Sequence, residues 1–95
     1  IISDAAHLQL TVRSYEDDVR EKLLAGIKRI AIAQAQSVGL PDDMMPDVIV
    51  SDPYTPSTYN DPALTQRVMG AVKEVLGEER VFERPPSMGG EDFSQ

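Results

Sequence analysis

A long amphipathic repeat near the start of the chain limits what it can fold into more than any other feature. Val19, Leu23, Ile27, Ile30 and Ala31 recur at helical spacing, supported by Leu24, Ala35 and Val38. Arg20, Glu21, Lys22, Lys28, Arg29 and Gln36 occupy the other faces. Ser14 followed by Asp17 predicts the helix start as an acidic variant of the capping box. Glu16, Asp17 and Asp18 add negative charge where the helix dipole favours it. Gly39 suits the C′ position and Pro41 prevents continuation. The spacing predicts a helix of about 24 residues, roughly 36 Å long. Its heptads are too irregular for a coiled-coil seam, so the stripe should cover a sheet.

The flanks of this helix carry strand patterns. Leu8, Leu10 and Val12 alternate with Gln9, Thr11 and Arg13, which predicts a half-buried strand. Val48, Ile49 and Val50 predict a second, short strand, ended by Pro53. Between them, residues 42–46 form a loop whose aspartates lack the ligand spacing of a calcium site. Residues 51–59 are rich in Pro, Ser, Thr and Tyr and mark a domain boundary. The two tyrosines there, Tyr54 and Tyr59, could pack or hydrogen-bond across a cleft. Helix restarts at Asp61 as N-cap with Pro62 in the first helical position. Leu64, Val68, Ala71, Val72 and Val75 form its apolar stripe, and Gly77 stops it. Glu78 and Glu79 turn the chain into a third strand at residues 80–84. Each crossover is long enough to join parallel strands with a right-handed connection.

Composition excludes several function classes. Sixteen acidic against nine basic residues give a net charge of −7, which argues against a nucleic acid or an anionic membrane as the main partner. Without cysteine there is no disulfide and no thiol catalysis, and a single histidine excludes a multi-histidine metal site within these 95 residues. His7 itself reads as a surface or edge residue. No apolar run approaches a membrane span. A cytoplasmic location is the default expectation, and both ends read as those of a piece of a longer chain.

The last residues carry the strongest chemical signal. Pro85-Pro86-Ser87-Met88-Gly89-Gly90-Glu91-Asp92-Phe93-Ser94 stiffens the backbone, then frees it, then presents two carboxylates beside a ring. Adjacent side chains on an extended backbone point to opposite sides, so Glu91 and Asp92 do not form a cooperating pair on one substrate. The Gly89-Gly90 amides could bind an anion or carboxylate.

Taken in order, Leu8-Gln9-Leu10-Thr11-Val12-Arg13-Ser14, Thr58-Tyr59-Asn60-Asp61-Pro62-Ala63-Leu64 and this terminal loop resemble the metal-dependent amidohydrolase and exopeptidase family of hippurate hydrolase and indole-acetyl-amino-acid hydrolase. The resemblance implies an α+β fold. Residues 1–57 would be the C-terminal half of a lid or dimerisation domain, part of a two-layer, ferredoxin-like antiparallel sheet with helices on one face. Residues 58–95 would begin the second segment of an α/β catalytic domain, as a helix and a strand. The family hydrolyses N-acyl amino acids or small peptides with two divalent metal ions of zinc or manganese type. Its metal ligands and general base fall outside this sequence, so the resemblance implies no catalytic residue, no metal and no activity in the 95 residues alone. It implies a homodimer through the lid. By position, Arg13, Asn60, Ser87, Gly89, Gly90 and Glu91 would contact substrate or line its pocket, with Arg13 placed to pair with a carboxylate. The alternatives are a non-enzymatic dimerisation or interaction module and a small ligand-binding regulatory domain.

Overall fold

The computed structural model describes residues 2–89 and 94. The chain divides into two units, Ile1–Pro53 and Tyr54–Gln95. Each is built around one helix: α1, Asp17–Ser37, in the first and α2, Pro62–Leu76, in the second.

In the first unit α1 opens two residues later than the Ser14 pattern predicts. Its N-cap is Glu16, whose backbone is extended (φ −117°, ψ 143°) and whose side chain makes no capping hydrogen bond. With the helix entered at Asp17, Ser14 lies upstream of the cap. Asp17 and Asp18 remain in the first turn, as the dipole favours. The Lys22 ammonium donates to Asp18 at 2.8 Å, an i,i+4 pair worth a few tenths of a kcal/mol at an exposed site. The other end follows the sequence pattern. Gly39 takes a positive φ of 74°. Its N–H donates to the Gln36 carbonyl at 2.9 Å, and Leu40 N–H donates to the Ala35 carbonyl at 3.1 Å. These two bonds form a Schellman motif and satisfy carbonyls that the helix leaves open.

The covered face of α1 is narrower than its apolar stripe. Leu24, Ile27 and Ala31 are half-buried, and Ala35, at 7 % exposure, is the one buried residue among those described. Val19, Leu23 and Ile30, on the adjoining edge of the stripe, remain exposed. After α1 the chain makes a short 3₁₀ turn, Asp42–Met44, and continues without regular structure through Val48–Val50.

The second unit begins with the non-helical stretch that ends at the N-cap Asp61. The Asp61 carboxylate accepts from Leu64 N–H at 2.8 Å, and Pro62 sits at the first helical position, where its missing N–H costs nothing. Gly77 ends α2 with φ 92° and ψ 148°, a conformation open almost solely to glycine. A Cβ there would also lie 2.6 Å from a Glu79 carboxylate oxygen. A second 3₁₀ turn, Glu78–Arg80, packs back on α2. Beyond it, the Gln66 amide donates to the Glu83 carboxylate at 3.1 Å and ties the outgoing segment to the helix.

The expected α+β architecture is not observed. No strand or sheet forms among the described residues, so neither the ferredoxin-like antiparallel sheet nor the strands at 8–13, 48–50 and 80–84 are present. Arg80 instead closes the second 3₁₀ turn. The physical reason lies in where the hydrogen bonds come from. A helix satisfies its backbone within one segment, whereas an alternating segment becomes a strand only when another segment supplies the facing ladder. Val81 has β-region dihedrals (φ −122°, ψ 112°) but no ladder partner. Ile49, between two valines that turn toward α1, stays 83 % exposed. The alternation is real, and its pairing partner is missing from the described residues.

Substitutions at three positions test α2. Asp61→Ala should destabilise α2 by about 1 kcal/mol, while Asp61→Asn should leave it nearly unchanged. Gly77→Ala should destabilise it by about 1–3 kcal/mol because of the positive φ. Gly70→Ala, in the helix interior with open space around the site, should stabilise it by about 1 kcal/mol. Thermal melts followed by circular dichroism would read all three, and equal effects at Gly70 and Gly77 would refute the conformational argument.

Candidate functional site

The residues singled out from the sequence fall in both units. Arg13 is exposed in the first unit, four residues before the start of α1. Asn60 is exposed in the second, immediately before the Asp61 cap, so the fixed start of α2 sets its position in the chain. Ser87 and Gly89 are exposed and are brought together: Gly89 N–H donates to Ser87 Oγ at 3.4 Å. This local bond leaves the Ser87 hydroxyl hydrogen free to donate elsewhere. A Cβ on Gly89 would sit 3.6 Å from Ser87 Oγ, an ordinary contact, so space alone does not require glycine there. Gly90 and Glu91 lie outside the described residues, as does Asp92, and so does the paired-amide anion site that Gly89-Gly90 would form. His7 is exposed, and so are Tyr54 and Tyr59.

A second feature escaped the sequence reading. An open groove of about 430 Å³ runs along α1 in the first unit, lined by Arg20, Glu21, Leu24, Ala25 and Lys28 and closed on the other side by Val48 and Val50. Its floor is aliphatic and its rim charged. Arg20 Nη1 pairs with Glu21 Oε1 at 2.7 Å. The signal was available: Arg20, Leu24 and Lys28 share one helix face at four-residue intervals, and Val48 and Val50 share a face at period two. What sequence could not show is that these two faces meet without a sheet between them. The lining offers hydrophobic contact and charge but no nucleophile paired with a base.

Among the described residues no three His, Asp or Glu side chains converge as a metal-binding group. The chain has one histidine and no cysteine. The residues described therefore do not fit a divalent metal centre.

The chain resembles known hydrolases from end to end. It is 33 % identical over 95 residues to thermostable carboxypeptidase 1 of Saccharolobus solfataricus, a match that covers all of this chain and 22 % of that protein. It is 30 % identical to YhaA of Bacillus subtilis, which carries an amidohydrolase name, over 99 % of this chain and 22 % of that protein. It is 31 % identical to the IAA-amino acid hydrolase ILR1-like 4 of Arabidopsis thaliana, over 99 % of this chain and 21 % of that protein. No family model matches, and no solved structure matches. The matches make the sequence similar to one stretch of the carboxypeptidases, amidohydrolases and IAA-amino acid hydrolases that these relatives represent, consistent with a fragment of that family. The chain spans about a fifth of the length of the curated relatives it matches.

The link that carries the second unit's terminal loop can be tested directly. Gln66→Ala removes the hydrogen bond to Glu83 and should raise the ps–ns mobility of residues 81–89 in amide relaxation measurements. Because both partners are exposed, global stability should change by less than about 0.5 kcal/mol. Unchanged order parameters would show that the segment is held by other contacts.

Proposed function

We propose that these 95 residues are part of a metal-dependent amidohydrolase that releases an amino acid from an N-acyl amino acid or a small peptide. One observation carries this reading: the entire chain aligns with three hydrolases whose names span carboxypeptidase, amidohydrolase and amino-acid-conjugate hydrolase. The two specific names describe different substrates but one bond, an amide whose nitrogen belongs to an amino acid. In this reading the 95 residues supply substrate contacts and a self-association surface. The two divalent ions, of zinc or manganese type, are held by residues elsewhere in the protein, and the isolated 95 residues are inactive.

The roles follow from chemistry at each position. Arg13 pairs with the free carboxylate of the substrate, since a guanidinium matches that planar anion with two parallel hydrogen bonds. Asn60 donates or accepts at the cleft. Ser87, Gly89, Gly90 and Glu91 form one wall of the pocket, with Glu91 positioning substrate and not transferring protons. Residues 1–57 contribute to a homodimer. No helix among the described residues is long and apolar enough to cross a membrane, and the proposed setting is the cytoplasm.

The whole protein, loaded with zinc or manganese, should hydrolyse members of a panel of N-acyl amino acids. In it, Arg13→Ala should raise KM roughly 10- to 100-fold with kcat little changed, the loss expected for a charge-assisted hydrogen bond made equally in ground and transition states. Restoring affinity with substrate amides in place of carboxylates would identify the carboxylate as the group Arg13 reads. Glu91→Gln should lower kcat/KM without shifting the pH profile. If the metal-loaded protein cleaved none of the panel, the substrate class would be wrong. If it cleaved them and Arg13→Ala matched wild type, Arg13 would be structural.

A further inference from the structure

The hydrogen bond between Gln66 and Glu83 fixes a direction as well as a contact. Gln66 stands ten residues before Leu76, the last residue of α2, which is about 15 Å along the helix axis. Glu83 stands only seven residues beyond Leu76, yet its carboxylate accepts from the Gln66 amide at 3.1 Å. The outgoing segment therefore runs back along α2, toward the helix N-terminus. Gly77 supplies the reversal with its φ of 92°, and the 3₁₀ turn Glu78–Arg80 packs on the helix on the way.

Beyond Glu83 the sequence keeps the chain extended. Arg84 and Pro85 each precede a proline, which disfavours helix for both, and the prolines hold φ near −65°. No helix, strand or turn forms over residues 81–89. Four residues of extended backbone, from Glu83 to Ser87, reach about 13 Å. From Gln66 back to the level of Asn60 is about 9 Å along the axis. At that same end the Asp61 carboxylate accepts from Leu64 N–H at 2.8 Å and fixes the chain immediately after Asn60.

We infer that Gln66 is a positioning residue: by holding Glu83 it brings Ser87 to the N-terminal end of α2, beside Asn60, and so sets the spacing of two residues that line the substrate cleft. The role in the cleft rests on the reading above; the placement of Ser87 beside Asn60 does not. Gln66 and Glu83 themselves act only through the segment they hold. An exposed bond of this kind adds little to global stability, so its effect belongs in the geometry of the cleft.

Two measurements on the whole protein test this. In the first, Asn60→Cys and Ser87→Cys are combined and treated with a short bismaleimide, and the joined peptides are counted by mass spectrometry. Crosslinking should be efficient. Gln66→Glu, which keeps the helix propensity but sets two carboxylates against each other, should lower it several-fold. Gln66→Glu with Glu83→Gln exchanges donor and acceptor and should restore it. The second measurement is steady-state kinetics on the N-acyl amino acid that the metal-loaded protein cleaves best. Gln66→Glu should raise KM about three- to ten-fold with kcat little changed, and the exchanged pair should return KM to within about two-fold of wild type. A bond that served stability alone would lower Tm and the active fraction and leave KM unmoved. No crosslink, or one that Gln66→Glu leaves unaltered, overturns the inference. So does an unmoved KM in an enzyme that cleaves the substrate. A protein that crosslinks as expected but cleaves none of the panel sinks the substrate reading and leaves the placement of Ser87 beside Asn60 standing.

Discussion

Everything else in this structure depends on how little apolar surface it removes from water. Ala35 is the one buried residue among those described, and an alanine removes too little area to stabilise a domain. Ordering a residue's backbone costs about 1–2 kcal/mol, and this is normally offset by a core of large side chains. Here the large side chains are present but face outward: Leu8, Leu10, Ile30, Ile49, Val75 and Phe82 are all exposed. What holds the two helices is therefore local. It consists of their own backbone bonds, the Schellman turn at Gly39, the Asp61 cap and the Gly77 stop.

That division explains which parts of the fold were legible in the sequence. The end of α1 and both ends of α2 were readable from single residues, because Gly39, Asp61, Pro62 and Gly77 act through bonds to neighbours a few positions away. The start of α1 was misplaced because Ser14 and Asp17 satisfy the capping spacing, yet the chain enters the helix after Glu16. The strands were misread for a different reason. Alternation at 8–13 and 48–50 reports which side of a segment would be buried, and says nothing about whether a partner segment lies within reach. A pattern can be correct for the protein in which it arose and still produce no ladder in the stretch at hand.

The candidate site divides along the same line. Asn60 and Ser87 sit in local structure that the sequence implied, next to a helix cap and after two prolines. The groove between α1 and Val48–Val50 was not implied, because it depends on where a non-helical segment comes to lie against a helix face. Arg20 shows the consequence. From sequence it is one of several cations on the polar side of α1; in the structure it belongs to the covered face, with Leu24, and its guanidinium closes on Glu21. A long stem lying over aliphatic side chains with a charged end at the rim is a common use of arginine. By helical spacing Arg20 falls between Ile27 and Ala31 around the axis, so assigning it to the polar face followed its charge and not its position.

Sequence similarity and physical structure answer different questions about this chain. The hydrolase assignment comes from end-to-end likeness to three proteins, and nothing in the described side chains amounts to a catalytic arrangement. These observations are compatible under the role proposed for the 95 residues, as scaffold and pocket wall. Catalysis by an amidohydrolase needs a polarised carbonyl, an activated water and a proton carrier within about 3 Å of one another, and such constellations are drawn from several segments of a fold. A stretch covering 22 % of its relatives can hold surfaces that position a substrate without holding any group that reacts with it.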